Sequence, residues 1–123
     1  MHRKTVILAC LLMGLAVGLG AFGAHGLADI LLKNGRLDTY DTAVLYHFIH
    51  ALGMLFIGIS PIRHKKIPTL FFMIGILCFC GSLYLLSLTN MLWLGAIAPI
   101  GGLSFILGWI SVAWSAYNYQ PSV

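Results

Sequence analysis

From Ile67 to Val123 the chain runs for 57 residues without Asp, Glu, Lys or Arg. A water-soluble fold needs charge along every surface it shows to solvent, and no such surface can be built from this stretch. Two further runs behave the same way: Thr5 to Ala28 and Thr42 to Ile62, interrupted only by His25, His47 and His50. Composition agrees, with 60% hydrophobic residues, 8% charged residues and no Glu. An ordinary soluble domain carries roughly 25% charged residues. Soluble globular, disordered, coiled-coil and nucleic-acid-binding classes are excluded on these grounds, and the lipid bilayer is the medium that remains.

A helix crosses the hydrocarbon core in about 20 residues. The last run therefore holds two spans, and the adjacent polar pair Thr89-Asn90 divides them. The expected spans are Val6–Phe22, Thr42–Ser60, Pro68–Leu88 and Leu92–Trp114, in one transmembrane unit over residues 1–123. Backbone groups in lipid must be satisfied within their own segment, so the spans are helices and the fold class is an all-α, four-helix transmembrane bundle. Arg3, Lys4, Arg63, Lys65 and Lys66 fall on one side, against Lys33 and Arg36 on the other. The positive-inside rule then puts both termini in the cytoplasm.

The first loop has its own pattern. Leu27, Ile30 and Leu31 are apolar, Asp29 comes early, Lys33 late, and Asn34-Gly35 supplies a stop. That order suits a helix dipole and predicts a short amphipathic helix on the outer surface. Asp38 is read as the N-cap of the second span, with Asp41 in its first turn. The basic start, apolar core and Ala21-Phe22-Gly23 also satisfy a signal-peptide pattern, with cleavage after Gly23; the preferred reading keeps the segment as a first span.

Small residues give the spans their packing faces. In lipid, helices associate through small residues that let backbones approach. Gly14 and Gly18 form GxxxG, Ala16, Gly20 and Ala24 form a second stripe, and Gly101, Ser104, Gly108, Ser111 and Ser115 form a third. Packing within the bundle is the preferred use, and a homo-oligomer or another membrane protein is the alternative. Cys10, Cys78 and Cys80 lie in apolar stretches and cannot form a disulfide framework. Trp93, Trp114, Tyr117 and Tyr119 are read as interface anchors.

Chemistry has few carriers inside the spans. His47 and His50 stand three apart on the second span and share a face with Tyr40. His25 lies where the first span emerges on the same side. A polar cluster of His25, Tyr40, His47 and His50 is the first candidate site, with Asp41 and Tyr46 as further partners. An intramembrane ionisable residue is a functional hypothesis by default. A transition-metal site, a haem site or a proton relay competes here with plain interhelical hydrogen bonding, which is preferred; no cofactor is assigned. The second candidate is a helix break at Pro99, Gly101 and Gly102, of the kind that lines transporter sites. A packing kink, or a helix that starts near Pro99 after a shallow entry segment, explains the same residues. No catalytic motif is present, so the expectation is a non-enzymatic accessory or assembly component, with a small-solute or ion permease as alternative.

Several strings together resemble one known group: residues 21–27 (AFGAHGL), 40–47 (YDTAVLYH) with His50-Ala51-Leu52, 81–86 (GSLYLL), then Pro99-Ile100-Gly101-Gly102 with Gly108-Trp109. In this order and spacing the chain is similar to the YgdD/YwdK-like family of small multi-pass bacterial inner-membrane proteins, a family of unknown function with animal relatives. The resemblance implies a multi-pass protein of the plasma (inner) membrane, an uncleaved first span, and His25, His47 and His50 as family-pattern positions. It transfers no activity. Asp41 stands where the family pattern has Gln.

Overall fold

The computed structural model describes residues 1–121. Four helical stretches in it are long and apolar enough to cross a membrane: Arg3–Ala24, Leu37–Ile59, Lys66–Thr89 and Leu92–Tyr117. The first two are α1 (Arg3–Ala24) and α3 (Leu37–Ile59), with the short α2 (Ala28–Asn34) between them. The third is composite: α4 (Lys66–Gly75), a π-helical turn (Ile76–Cys80) and α5 (Gly81–Thr89). The fourth opens with a 3₁₀ turn (Leu92–Ala96) and continues as α6 (Ala98–Tyr117).

Neighbours in sequence are neighbours in space. α1 lies against α3, α4 and the π turn lie against α6, and α3 joins the two pairs by packing on all three parts of the third span. α1 is consequently an edge helix, the least buried of the four spans. Ala9, Ala43, Ala51, Met54, Ile57, Phe72, Ile76, Cys80 and Phe105 form the interior. Leu11, Leu15, Phe56, Leu70, Leu77, Ile106 and Ile110 face outward, as lipid demands.

The helix ends are closed by local chemistry. α2 has Asp29 in its first turn and Lys33 in its last, and stops at Gly35 in the left-handed region (φ 65°). The Gly35 and Arg36 amides return to the Leu32 and Leu31 carbonyls, a glycine stop of the Schellman kind. Beyond lying at the surface, α2 buries Leu31 completely and docks on α3 and α5. Asn34 Nδ2 donates to the Ser87 and Leu88 carbonyls at 3.0 and 3.2 Å, and Arg36 Nε donates to Asn90 Oδ1 at 3.0 Å. The last carbonyls of a helix have no intrahelical donor, so α2 supplies α5 with its cap. Asp38 differs from the expectation: α3 begins at Leu37, the capping position is Arg36, and Asp38 is in the first turn without capping by its side chain. The carboxylate still stands at the positive end of the helix dipole.

Serines fulfil the interhelical role only in part. Ser104 Oγ donates to the Phe71 carbonyl across the α4–α6 seam at 2.7 Å. Ser111 and Ser115 turn back onto carbonyls of their own helix, Gly108 and Ser111. Within one helix a hydroxyl can reach the carbonyl three or four residues back, and that is the bond each of these two makes.

Candidate functional site

The residues singled out from sequence do not form one cluster. His25 is exposed just past the end of α1. Tyr40 is buried in the first turn of α3, with its hydroxyl donating to the Leu19 carbonyl at 2.6 Å and its ring lying over Gly23. His47 is two turns deeper, about 10 Å along the helix. Among the described residues, no group of three or more His, Cys, Asp or Glu side chains is placed to hold a metal ion.

What the structure builds instead is a pair of separate histidine contacts, one turn apart on α3. His50 is 4% exposed and faces α6. Its ring stacks on Phe105 with centroids 3.5 Å apart and planes 10° from parallel, and it meets Phe72 edge-on at 5.3 Å. Nδ1 lies 2.7 Å from the Tyr46 carbonyl, and Trp109 Nε1 donates to Nε2 at 3.1 Å. A carbonyl can only accept and an indole N–H can only donate. The ring therefore carries its single proton on Nδ1, and both nitrogens are committed. A metal or an added proton at Nε2 has to displace the Trp109 donor first.

His47 is 1% exposed and faces α5. Nδ1 is 3.1 Å from the Tyr84 hydroxyl, and Tyr84 in turn meets the Tyr40 ring edge-on at 5.2 Å. Nε2 is buried with no hydrogen-bond partner. In either tautomer one nitrogen goes unsatisfied. His47 is thus the one histidine of the pair with an uncommitted nitrogen, and it is buried inside the bundle.

The partners proposed from sequence, His25 and Asp41, are replaced by Tyr84 and Trp109. Neither was identified as a partner because both come from other spans, and spacing along α3 cannot reveal what another helix brings to it. Their signal was present in the strings 81–86 and 108–109, which carried the resemblance without a role attached.

This pairing makes a measurable prediction. Replacing His47 by Leu leaves the Tyr84 hydroxyl without its partner, and replacing Tyr84 by Phe leaves both His47 nitrogens bare. The double variant His47→Leu/Tyr84→Phe should be less destabilised than the sum of the singles. The expected coupling is about 0.6 kcal/mol, with about 1.7 as the upper range for such bonds in membranes. Unfolding in mixed detergent–SDS micelles reads it; strict additivity would show that the pair does not interact.

Pro99 is exposed and occupies the first turn of α6, where a proline's missing N–H has no carbonyl to serve. The interruption is the junction between the 3₁₀ turn and α6, matching the entry-segment alternative rather than a break inside a continuous helix. Gly101 and Gly102 face different surroundings. A Cβ on Gly101 would overlap the backbone of Phe79 in the π turn, while one on Gly102 would meet the Phe79 ring at an ordinary 3.7 Å. Gly101 is a close-packing position, and the π turn was not foreseen from sequence.

Taken together, these features define a four-helix membrane bundle in which the buried polar side chains, among the described residues, are histidine, tyrosine, serine and threonine, with no charged side chain among them. Residues 19–102 match the family described as a protein of unknown function (DUF423). Relatives cover nearly the full length. The UPF0382 membrane protein YwdK of Bacillus subtilis is 41% identical over 119 residues, 93% of this chain and 96% of its own. UPF0382 membrane protein SSP2132 of Staphylococcus saprophyticus is 45% identical over 117 residues (92% and 96%). A UPF0382 membrane protein of Haemophilus influenzae is 38% identical over 121 residues (96% and 97%). The chain belongs to this family of membrane proteins. No solved structure matches it.

Proposed function

We propose that this protein is a non-enzymatic component of the plasma membrane that acts by helix contact, with α1 as its contact surface. It is read as one transmembrane unit with both termini on the cytoplasmic side. The observation that supports this is the different treatment of its glycines. Gly20, Gly53, Gly58, Gly75, Gly101 and Gly108 each lie against a neighbouring element, where a Cβ would meet an atom within 3.3 Å. Gly14 and Gly18 meet nothing within 4 Å. Glycine in a helix costs about 1 kcal/mol relative to alanine in water, and within this chain these two return nothing for it. The GxxxG pair is thus left over from intrachain packing, contrary to the preference from sequence. It faces outward beside Leu11 and Leu15 on the least buried helix. A second transmembrane helix is what such a surface accommodates.

Cys10 is exposed and lies on the same row, four residues before Gly14. Bismaleimide or oxidative crosslinking through Cys10, in membranes and with Cys78 and Cys80 replaced by Ala, should trap a second copy or a partner. Gly14→Leu/Gly18→Leu should abolish the product without lowering stability in detergent unfolding, because the added side chains meet open space and leucine is the better helix former. Monomer alone under all conditions would count decisively against this reading.

A permease is the second reading, and the uncommitted Nε2 of His47 is what favours it. Flux through proteoliposomes that falls with His47→Ala would support it. Flux indifferent to His47→Ala and Pro99→Ala would remove it.

A further inference from the structure

One end of the bundle carries Arg3, Lys4, Arg63, Lys65 and Lys66 and no acidic side chain, since Asp29 is on α2 and Asp38 and Asp41 are in the opening turns of α3 at the other end. α3 is 23 residues long, so about 30 Å of helix separates those carboxylates from the basic end. At that end α1 packs on α3 and α4 packs chiefly on α6, and a groove of about 390 Å³ is left between the starts of α1 and α4. Lys4 and Lys66 stand at its rim; Leu8, Leu70 and Met73 continue it toward the hydrocarbon. A second hollow of about 290 Å³, lined by Arg63 and His64, adjoins it and shares His2 and Lys66.

We propose that this groove binds an anionic phospholipid, its phosphate between Lys4 and Lys66 and an acyl chain along Leu8, Leu70 and Met73. Charge complementarity is the first argument: the rim is cationic, and among the described residues no Asp or Glu side chain lies at this end. Lys65 is otherwise engaged, its Nζ donating to the Gly58 and Ser60 carbonyls, which leaves Lys4, Lys66 and Arg63 to meet an external anion. The helix ends add to the field. α1 and α4 both begin at this end, with no acidic residue in either first turn and no side-chain cap, so unpaired N–H groups and positive dipole ends are presented together. The order of the lining is the second argument. Leu8 is one turn beyond Lys4 and Leu70 one turn beyond Lys66, so charge gives way to apolar surface over about 6 Å. A phospholipid has that same sequence of headgroup and chain at that depth, whereas free phosphate has nothing to place against the leucines. Basic pockets between transmembrane helices recognise anionic headgroups by this chemistry.

The test is lipid binding to the full-length protein in detergent, followed by native mass spectrometry. Dioleoylphosphatidylglycerol is titrated against dioleoylphosphatidylcholine of the same chain length. The expected result is at least a tenfold preference for the anionic lipid. Lys4→Gln/Lys66→Gln should lower that preference by about 10- to 30-fold, given the contribution of each basic residue near an anionic surface. Lys33→Gln, at the opposite end, should leave it unchanged. Should the double variant fail to fold, each single variant is read instead and is expected to lose about threefold or more. Equal binding of the two lipids, or equal loss with Lys33→Gln, would overturn the proposal. So would full competition by 10 mM inorganic phosphate, which would assign the groove to a soluble anion.

Discussion

Gly101→Ala should destabilise the bundle by about 3 kcal/mol, a large effect for one methyl group. The new Cβ would fall on the Phe79 backbone, 2.7 Å from its Cβ and 2.8 Å from its Cα. A side chain in the way could rotate, but backbone of the π turn cannot move without α6 retreating from the whole third span. That retreat also loosens the Ser104 bond to the Phe71 carbonyl, one turn along the same seam. Gly102→Ala is the matched control: its Cβ would rest 3.7 Å from the Phe79 ring, and a change within about 0.5 kcal/mol is expected. Unfolding of both variants in mixed micelles checks the pair. Equal effects would mean that α6 does not approach the π turn as closely as described.

His50→Leu should cost about 2–3 kcal/mol, because three interactions end together. The Phe105 stack is lost, the Trp109 indole N–H has no acceptor, and the ring's fit against Phe72 is gone. A buried donor left without a partner costs about 1–3 kcal/mol, although interhelical bonds in membranes average nearer 0.6. Trp109 is 44% exposed, so its ring stays partly in lipid, where no water relieves the bare N–H. Trp109→Phe removes the donor itself. In the His50→Leu background it should therefore recover about 0.5–1 kcal/mol, whereas alone in the natural protein it should destabilise. A His50→Leu variant as stable as the parent would show that the stack and the indole bond contribute nothing net.

The two effects fall on residues of different legibility. Four membrane crossings could be read directly, because lipid forbids charge and the ten charged residues leave only certain stretches free. The first loop was readable for a related reason: Asp29, Lys33 and Gly35 each have a local electrostatic or conformational role that needs no distant partner. Asp38 was misread by a residue or two, as helix ends commonly are. The π turn at Ile76–Cys80 was not readable, since Ile-Leu-Cys-Phe-Cys has no feature separating it from ordinary apolar helix. It shows only in the folded backbone, where the Gly81 amide returns to the Ile76 carbonyl, and in the close approach of Gly101 to Phe79. The histidines show the same division. Their presence on α3 was plain, but Tyr84 and Trp109 reach them from 37 and 59 residues away, and no periodicity along one helix encodes that. The GxxxG pair was legible as a motif, but the expected packing within the bundle is absent at Gly14 and Gly18, which meet nothing within 4 Å. Motif spacing says that a helix can be approached closely, not which helix does the approaching.

The contact between α2 and α5 bears on how the chain is put into the membrane. Asn34 and Arg36 follow the first crossing directly, yet the groups they bind, Ser87, Leu88 and Asn90, are at the far end of the third. During synthesis those acceptors do not exist on that side until the third crossing has been threaded. The first loop can meet α1 and α3 once the second crossing is in place, but its bonds to the end of α5 wait for the third. Closing of that end is a late step of biogenesis, and a chain truncated before residue 87 would insert its first hairpin without ever completing it.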